Sequence, residues 1–156
     1  MHMEVINEVF PSDPEQMAQM AEKGPDGPIF MVNLLKFKEK AEYVDGRETD
    51  LTGREAYQLY GAGVAGLLPE YGGRIFLMAD VTFLSLGQVE ELWDEVAIAA
   101  YPDRNSLLRM SSSQEWQDLA IHRAAGLAGQ LNIESVVPSF VWGLPWLERF
   151  KQEFSG

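Results

Sequence analysis

The stretch Leu92–Met110, LWDEVAIAAYPDRNSLLRM, leaves a chain few choices. Trp93, Val96, Ile98 and Tyr101 supply the aromatic and β-branched content of a half-buried strand. Pro102 cannot donate to a sheet ladder and so closes that strand. Asp103 is then placed to cap a helix carrying Leu107, Leu108 and Met110. A strand that turns straight into a helix needs a sheet to join and a face for the helix to cover. The flanking segments supply that sheet.

Before it, Met3–Phe10 reads as a short strand. Asp13-Pro14 opens a helix with Gln16 placed for a capping box and with Met17, Met20 and Ala21 as its stripe, ending at Gly24-Pro25. Pro28–Phe37 is an almost unbroken apolar run, as for a strand covered on both faces, and Asn33 interrupts it. Lys38–Leu51 is a polar loop turning at Asp45-Gly46. Thr52 and Glu55 form a capping box for a helix reaching residue 70 or 71, striped by Tyr57, Tyr60, Val64, Leu67, Leu68 and Tyr71. Gly61, Gly63 and Gly66 within it imply close packing, a kink, or room for a ligand.

Arg74–Leu84 reads as a strand with Ile75, Leu77, Ala79, Val81 and Phe83 on one face, and the chain turns back near Gly87. Ser112 and Glu115 predict a second capping box, Gly126 the end of that helix, and 131–137 the last strand. Beyond Pro138, Trp146, Leu147, Phe150 and Phe154 have amphipathic helical spacing. From residue 28 the order is strand, helix, strand, strand, helix, strand. This is an α+β, ferredoxin-like βαββαβ unit with an antiparallel sheet and its helices on one face. Residues 1–27 form an N-terminal strand and helix extension, 28–137 the domain, and 138–156 an aromatic tail. The other sheet face is too apolar to leave wet, so a homodimer is expected, with the tail reaching the partner.

With 24 Asp and Glu against 12 Lys and Arg, the formal charge is −12, which disfavours nucleic acid and anionic membrane surfaces as partners. No run approaches ~18 apolar residues, so no membrane span is expected. The N-terminus lacks the pattern of a secretory signal, and a cytoplasmic protein follows. The absence of cysteine removes thiol chemistry and thiolate metal sites.

MVNLLKF (31–37), GREAYQLY (53–60), the Tyr71–Arg74 turn, VEELWDEVAIAAYPDR (89–104) and HRAAGL (122–127) resemble the DUF1330 family of the dimeric α/β-barrel superfamily. Asp103 stands where serine is common in such sequences. The resemblance implies a homodimer with sheets packed face to face and ligand clefts between sheet and helices. It assigns no activity. Related superfamily members include cofactor-independent monooxygenases, isomerases and haem enzymes, whose defining residue sets are absent here.

The residues that bear chemistry allow two readings each. His122, the only interior histidine, is a general base, a haem ligand, or an ordinary helix histidine. With no second histidine at ligand spacing, no metal site is expected. Arg123 points nearer the core and needs a carboxylate, Asp94 or Asp80, or else a ligand anion. Arg74 and Arg104 tie loops or clamp an anion. The Asn33 amide must be paired, by backbone or by ligand. Tyr57, Tyr60 and Tyr101 are core aromatics whose hydroxyls reach the rim. The functional expectation is a small-molecule-binding or cofactor-independent enzyme dimer for a small, partly apolar organic ligand. Asn33, Tyr57, Arg74 and Tyr101 would bind it and His122 would move the proton. The alternative is a non-catalytic assembly protein.

Overall fold

The structure, a computed structural model, describes residues 13–141 and 144–155. The strand read over Met3–Phe10 lies outside them. Asp13 caps α1 (Pro14–Met20), accepting from the Glu15 amide at 2.9 Å. Strand β1 (Ile29–Phe37) lies between β3 (Glu95–Tyr101) and β4 (Leu127–Ser135), antiparallel to both, and β2 (Arg74–Asp80) pairs with the far edge of β3. The order β2-β3-β1-β4 is that of the ferredoxin-like unit.

Alternation decides the faces. Ile29, Met31 and Leu35 of β1 turn to the helices together with Ala97, Ala99 and Tyr101 of β3. They meet Val64 and Leu67 of α2 (Gly53–Leu67), Leu68 of the 3₁₀ turn that follows, and Leu107 and Met110 of α3 (Arg104–Ser111). The expected capping box of α2 is present, with the Glu55 amide donating to Thr52 and the Thr52 amide to Glu55. Asp103 caps α3, accepting from the Ser106 amide at 2.7 Å.

Several element boundaries differ from the sequence reading. Strand β2 ends at Asp80 rather than Leu84, and its register slips between Ile75 and Leu77. The slip puts Ile75 and Leu77 on opposite faces, because Ile75 lies across from Ala99 and Leu77 across from Ile98. Residues 81–94 are an irregular loop exposing Phe83 and Leu86. The cap of α4 (Gln114–Gly126) is Ser113, one residue after the expected Ser112, which instead ends α3. Helix α4 ends at Gly126 as expected, but the chain enters β4 at once at Leu127, so the last strand begins before residue 131.

Glycine at 126 allows a close crossing. A Cβ there would sit 2.3 Å from the Gly53 carbonyl oxygen, and the Gly126 carbonyl accepts from the Lys38 amide at 2.8 Å. Farther along, a Cβ on Gly63 would meet Leu119 at 2.3 Å, whereas Gly61 and Gly66 face open space. Helix α4 therefore packs chiefly on α2, and its Trp116 and Leu119 reach the core beneath the sheet.

On the opposite face, Val32, Leu34, Val96, Ile98 and Leu131 are half-buried, and Leu77 and Ile133 are 45% and 48% exposed. Helix α5 (Pro145–Ser155) returns to this side, where its Glu153 pairs with Arg74. The aromatic side chains at 142, 146, 150 and 154 lie outside the described residues. Among those described, no helix is long and apolar enough to cross a membrane.

Candidate functional site

A polar chain runs between the sheet and α4. Asn33 sits on the helix-covered face of the central strand, opposite Ala97 and Asn132. Its amide nitrogen donates to the carbonyls of Met31 at 3.2 Å and Ala97 at 3.1 Å. Its oxygen accepts from Gln130 Nε2 at 2.6 Å. Gln130 is itself buried and accepts from Arg123 Nη2 through its oxygen. So the interruption in the apolar strand anchors a relay from backbone to Asn33, Gln130 and Arg123, crossing from sheet to helix.

Three tyrosines complete this layer. Tyr57 is 6% exposed and packs with Leu35, Ala97 and Leu127, flanked by Phe37 and Tyr60. Tyr57 and Tyr60 have ring centroids 5.4 Å apart, and the Tyr60 hydroxyl accepts from the Trp116 indole at 3.2 Å. Tyr101 is 4% exposed. Burial raises all three phenols, so each is a neutral hydroxyl through the physiological range. Arg123 is lowered by burial but remains a cation, as an arginine does in a folded protein.

The expected carboxylate partner of Arg123 is not there. Asp94 holds Lys36 and the Phe37 amide, and Asp80 holds Arg54. Among the described residues Arg123 has the Gln130 amide and no ion pair. At the margin of the layer Glu95, 8% exposed, donates charge to the same surroundings. One of its oxygens accepts from Arg54 at 3.2 Å; the other, Oε1, is buried without a partner among the described residues. Burial raises the Glu95 carboxyl, Arg54 opposes that, and Asp80 adds to it.

Access is provided at the β4 edge. Asn132, across from Asn33 on the same face, is exposed, and Asn33, Tyr60, Trp116 and Arg123 all keep part of their surface. A separate groove of about 550 Å³ runs between the end of α1 and the start of α3, lined by Glu22, Lys23, Asp26, Pro102, Asp103 and Asn105. Its charges have other work: Lys23 pairs with Asp26, and Asp103 caps α3. None of the predicted site residues lines it, and the polar convergence lies in the inner layer instead.

Of the predicted residues, Asn33, Tyr57 and Tyr101 share that layer. Arg74 lies on the other face of the sheet, paired with Glu153. His122 faces the loop between β1 and α2, where its Nδ1 shares a 2.7 Å hydrogen bond with the Tyr43 hydroxyl. Burial, and then Arg47 stacked 4.6 Å over the Tyr43 ring, lower His122 below the usual histidine range. Arg104 is spent structurally, on Glu134 at 2.7 and 2.8 Å and on the Gln19 and Glu22 carbonyls. Gln130, Tyr60, Arg123 and Glu95 belong to the layer without having been chosen as site residues. A signal existed for Arg123, on the inner stripe of its helix. For Gln130 there is little, because the sequence places the start of its strand at residue 131.

No family model and no curated protein matches the chain. Among solved structures it is similar to the RPA0582 protein of Rhodopseudomonas palustris, a protein of unknown function. The two share 27% identity over 85% of this chain and 100% of that one, with a TM-score of 0.74. The methylated form of the RPA0582 protein gives 30% identity over 85% and 98%, with a TM-score of 0.75. A fainter likeness is to a dimeric protein of unknown function and ferredoxin-like fold from Bacteroides fragilis. That match has 11% identity over 71% and 97%, with a TM-score of 0.44.

Proposed function

This chain belongs to the family of the Rhodopseudomonas palustris RPA0582 protein, and from that premise we propose that it binds a small, partly apolar organic molecule in the inner layer of a homodimer. The resemblance of 31–37, 53–60, 71–74, 89–104 and 122–127 extends the relationship to DUF1330. One observation carries the reading. Asn33, at the centre of the covered face, stays partly exposed, and its neighbour Asn132 on the edge strand β4 is exposed. A packed core would have closed over that position; a cleft with a few fixed polar groups in apolar walls is what ligand sites use.

Asn33 and Gln130 hold each other in one orientation, and Tyr57 and Tyr101 present neutral hydroxyls from α2 and β3. Any chemistry is cofactor-independent in this reading. Glu95, with its unpartnered oxygen at the margin of the layer, is the proton-transfer candidate; His122, turned to Tyr43 of the 38–51 loop, lies outside it. Native mass spectrometry of the full chain tests the proposal. A dimer carrying a small organic adduct is expected, and Tyr57→Phe with Asn33→Ala should lose the adduct while remaining folded. A monomer without adduct, in which no small organic probe raises Tm, refutes it.

A further inference from the structure

We propose that the ligand of the inner layer is a carboxylic acid, its carboxylate received by the Arg123 guanidinium. This deepens the binding reading and depends on it. Arginine has five N–H donors in a planar fork, and among the described residues only Nη2 has a partner, the Gln130 oxygen. The other groups carrying charge near it do not compensate it. Glu95 is engaged by Arg54, and Tyr57 and Tyr60 are protonated. A largely buried cation held by one amide is costly unless an anion completes it. The chain does otherwise elsewhere: Lys36, Arg54 and Arg104 all pair with carboxylates, in a protein with 24 of them to choose from.

The rest of the layer narrows the anion to a carboxylate. Gln130 is fixed from behind by Asn33, so Arg123 is presented in one orientation with its remaining fork directed away from that contact. A planar carboxylate matches such a fork with two parallel hydrogen bonds. A single guanidinium balances one negative charge, so a phosphate dianion would leave charge uncompensated among buried rings. Beside it, Phe37 and Tyr60 are partly exposed over the buried cluster of Leu35, Tyr57 and Leu127, an apolar surface for the body of the acid.

Calorimetry on the full chain with benzoate, phenylacetate, their amides benzamide and phenylacetamide, and inorganic phosphate tests this. The acids should bind about tenfold or more tightly than the amides of the same shape, as expected for a charge-assisted pair. Arg123→Gln should bring the acids down to the level of the amides, and Arg123→Lys should retain part of the preference. Should Arg123→Gln not fold by circular dichroism, the comparison of acid with amide on the unaltered chain decides. Amides binding as tightly as acids, phosphate binding tighter than either, or an acid preference surviving in folded Arg123→Gln overturns the carboxylate while leaving the cleft in place. Failure of every probe to bind overturns both.

Discussion

Removing the Asn33 amide takes the acceptor from the buried Gln130 side chain and a donor from the Ala97 carbonyl. Asn33→Leu should therefore cost ~1–3 kcal/mol, the usual penalty for leaving a buried polar group unpaired. The urea midpoint reads it, and an unchanged midpoint would mean that water replaces the lost partner. At His122 the sign follows from the lowered pKa. The folded chain holds the ring neutral at pH values where the unfolded chain, near 6.5, already takes a proton. That contribution is complete above about pH 6.5 and is lost as pH falls through the folded value. His122→Gln should flatten the decline in midpoint between roughly pH 7 and 5. Equal slopes in both proteins would show that another group titrates there. Asn33 could be found from sequence because an amide inside an apolar run must find partners. The missing partner of Arg123 could not, since whether Asp80 or Asp94 reaches it is decided by Lys36 and Arg54, residues remote in sequence.

Between elements, the crossing of α2 and α4 sets the height of the inner layer, and its glycines are not equivalent. Gly61→Ala and Gly66→Ala place a methyl in open space within a helix, and each should stabilise by up to about 1 kcal/mol. Gly126→Ala drives a Cβ to 2.3 Å from the Gly53 carbonyl and 2.9 Å from the Tyr57 amide nitrogen. Both are backbone, so the helices must part, and Tm should fall despite the gain in propensity. A stabilised Gly126→Ala would show that the crossing is looser than its geometry. Helix starts at Thr52 and Asp103 were legible because capping is local chemistry. The helix end at Gly126 was legible too, but its second role, a close contact with Gly53, and the immediate entry into β4 at Leu127 were not, because both depend on residues remote in sequence.

For the whole molecule, the strand order was legible because alternation and turn residues are local, whereas the covering of the second sheet face depends on another surface. Val32, Leu34, Val96, Ile98, Leu131, Leu77 and Ile133 form a continuous apolar field on that face. Left in water it would be a liability, and a two-fold partner would cover it by using the same patch twice. Glu153 of helix α5 pairs with Arg74 on this face, a contact compatible with a partner over the strand centres. We expect sedimentation of the full chain at micromolar concentration to show a dimer, with an interface above the ~1,200 Å² of specific association. Ile98 pairs with Val32 on one side and Leu77 on the other, which places it near the middle of the field. Ile98→Asp buries an unpaired carboxylate in the dimer while leaving it at a half-exposed position in the monomer, so it should dissociate the pair and spare the fold. Glu153→Ala removes only the exposed tie to Arg74 and should leave association unchanged. A monomeric full chain refutes the dimer. A dimer indifferent to Ile98→Asp would place the interface elsewhere, with the exposed Phe83 and Leu86 of the 81–94 loop as the next surface to alter.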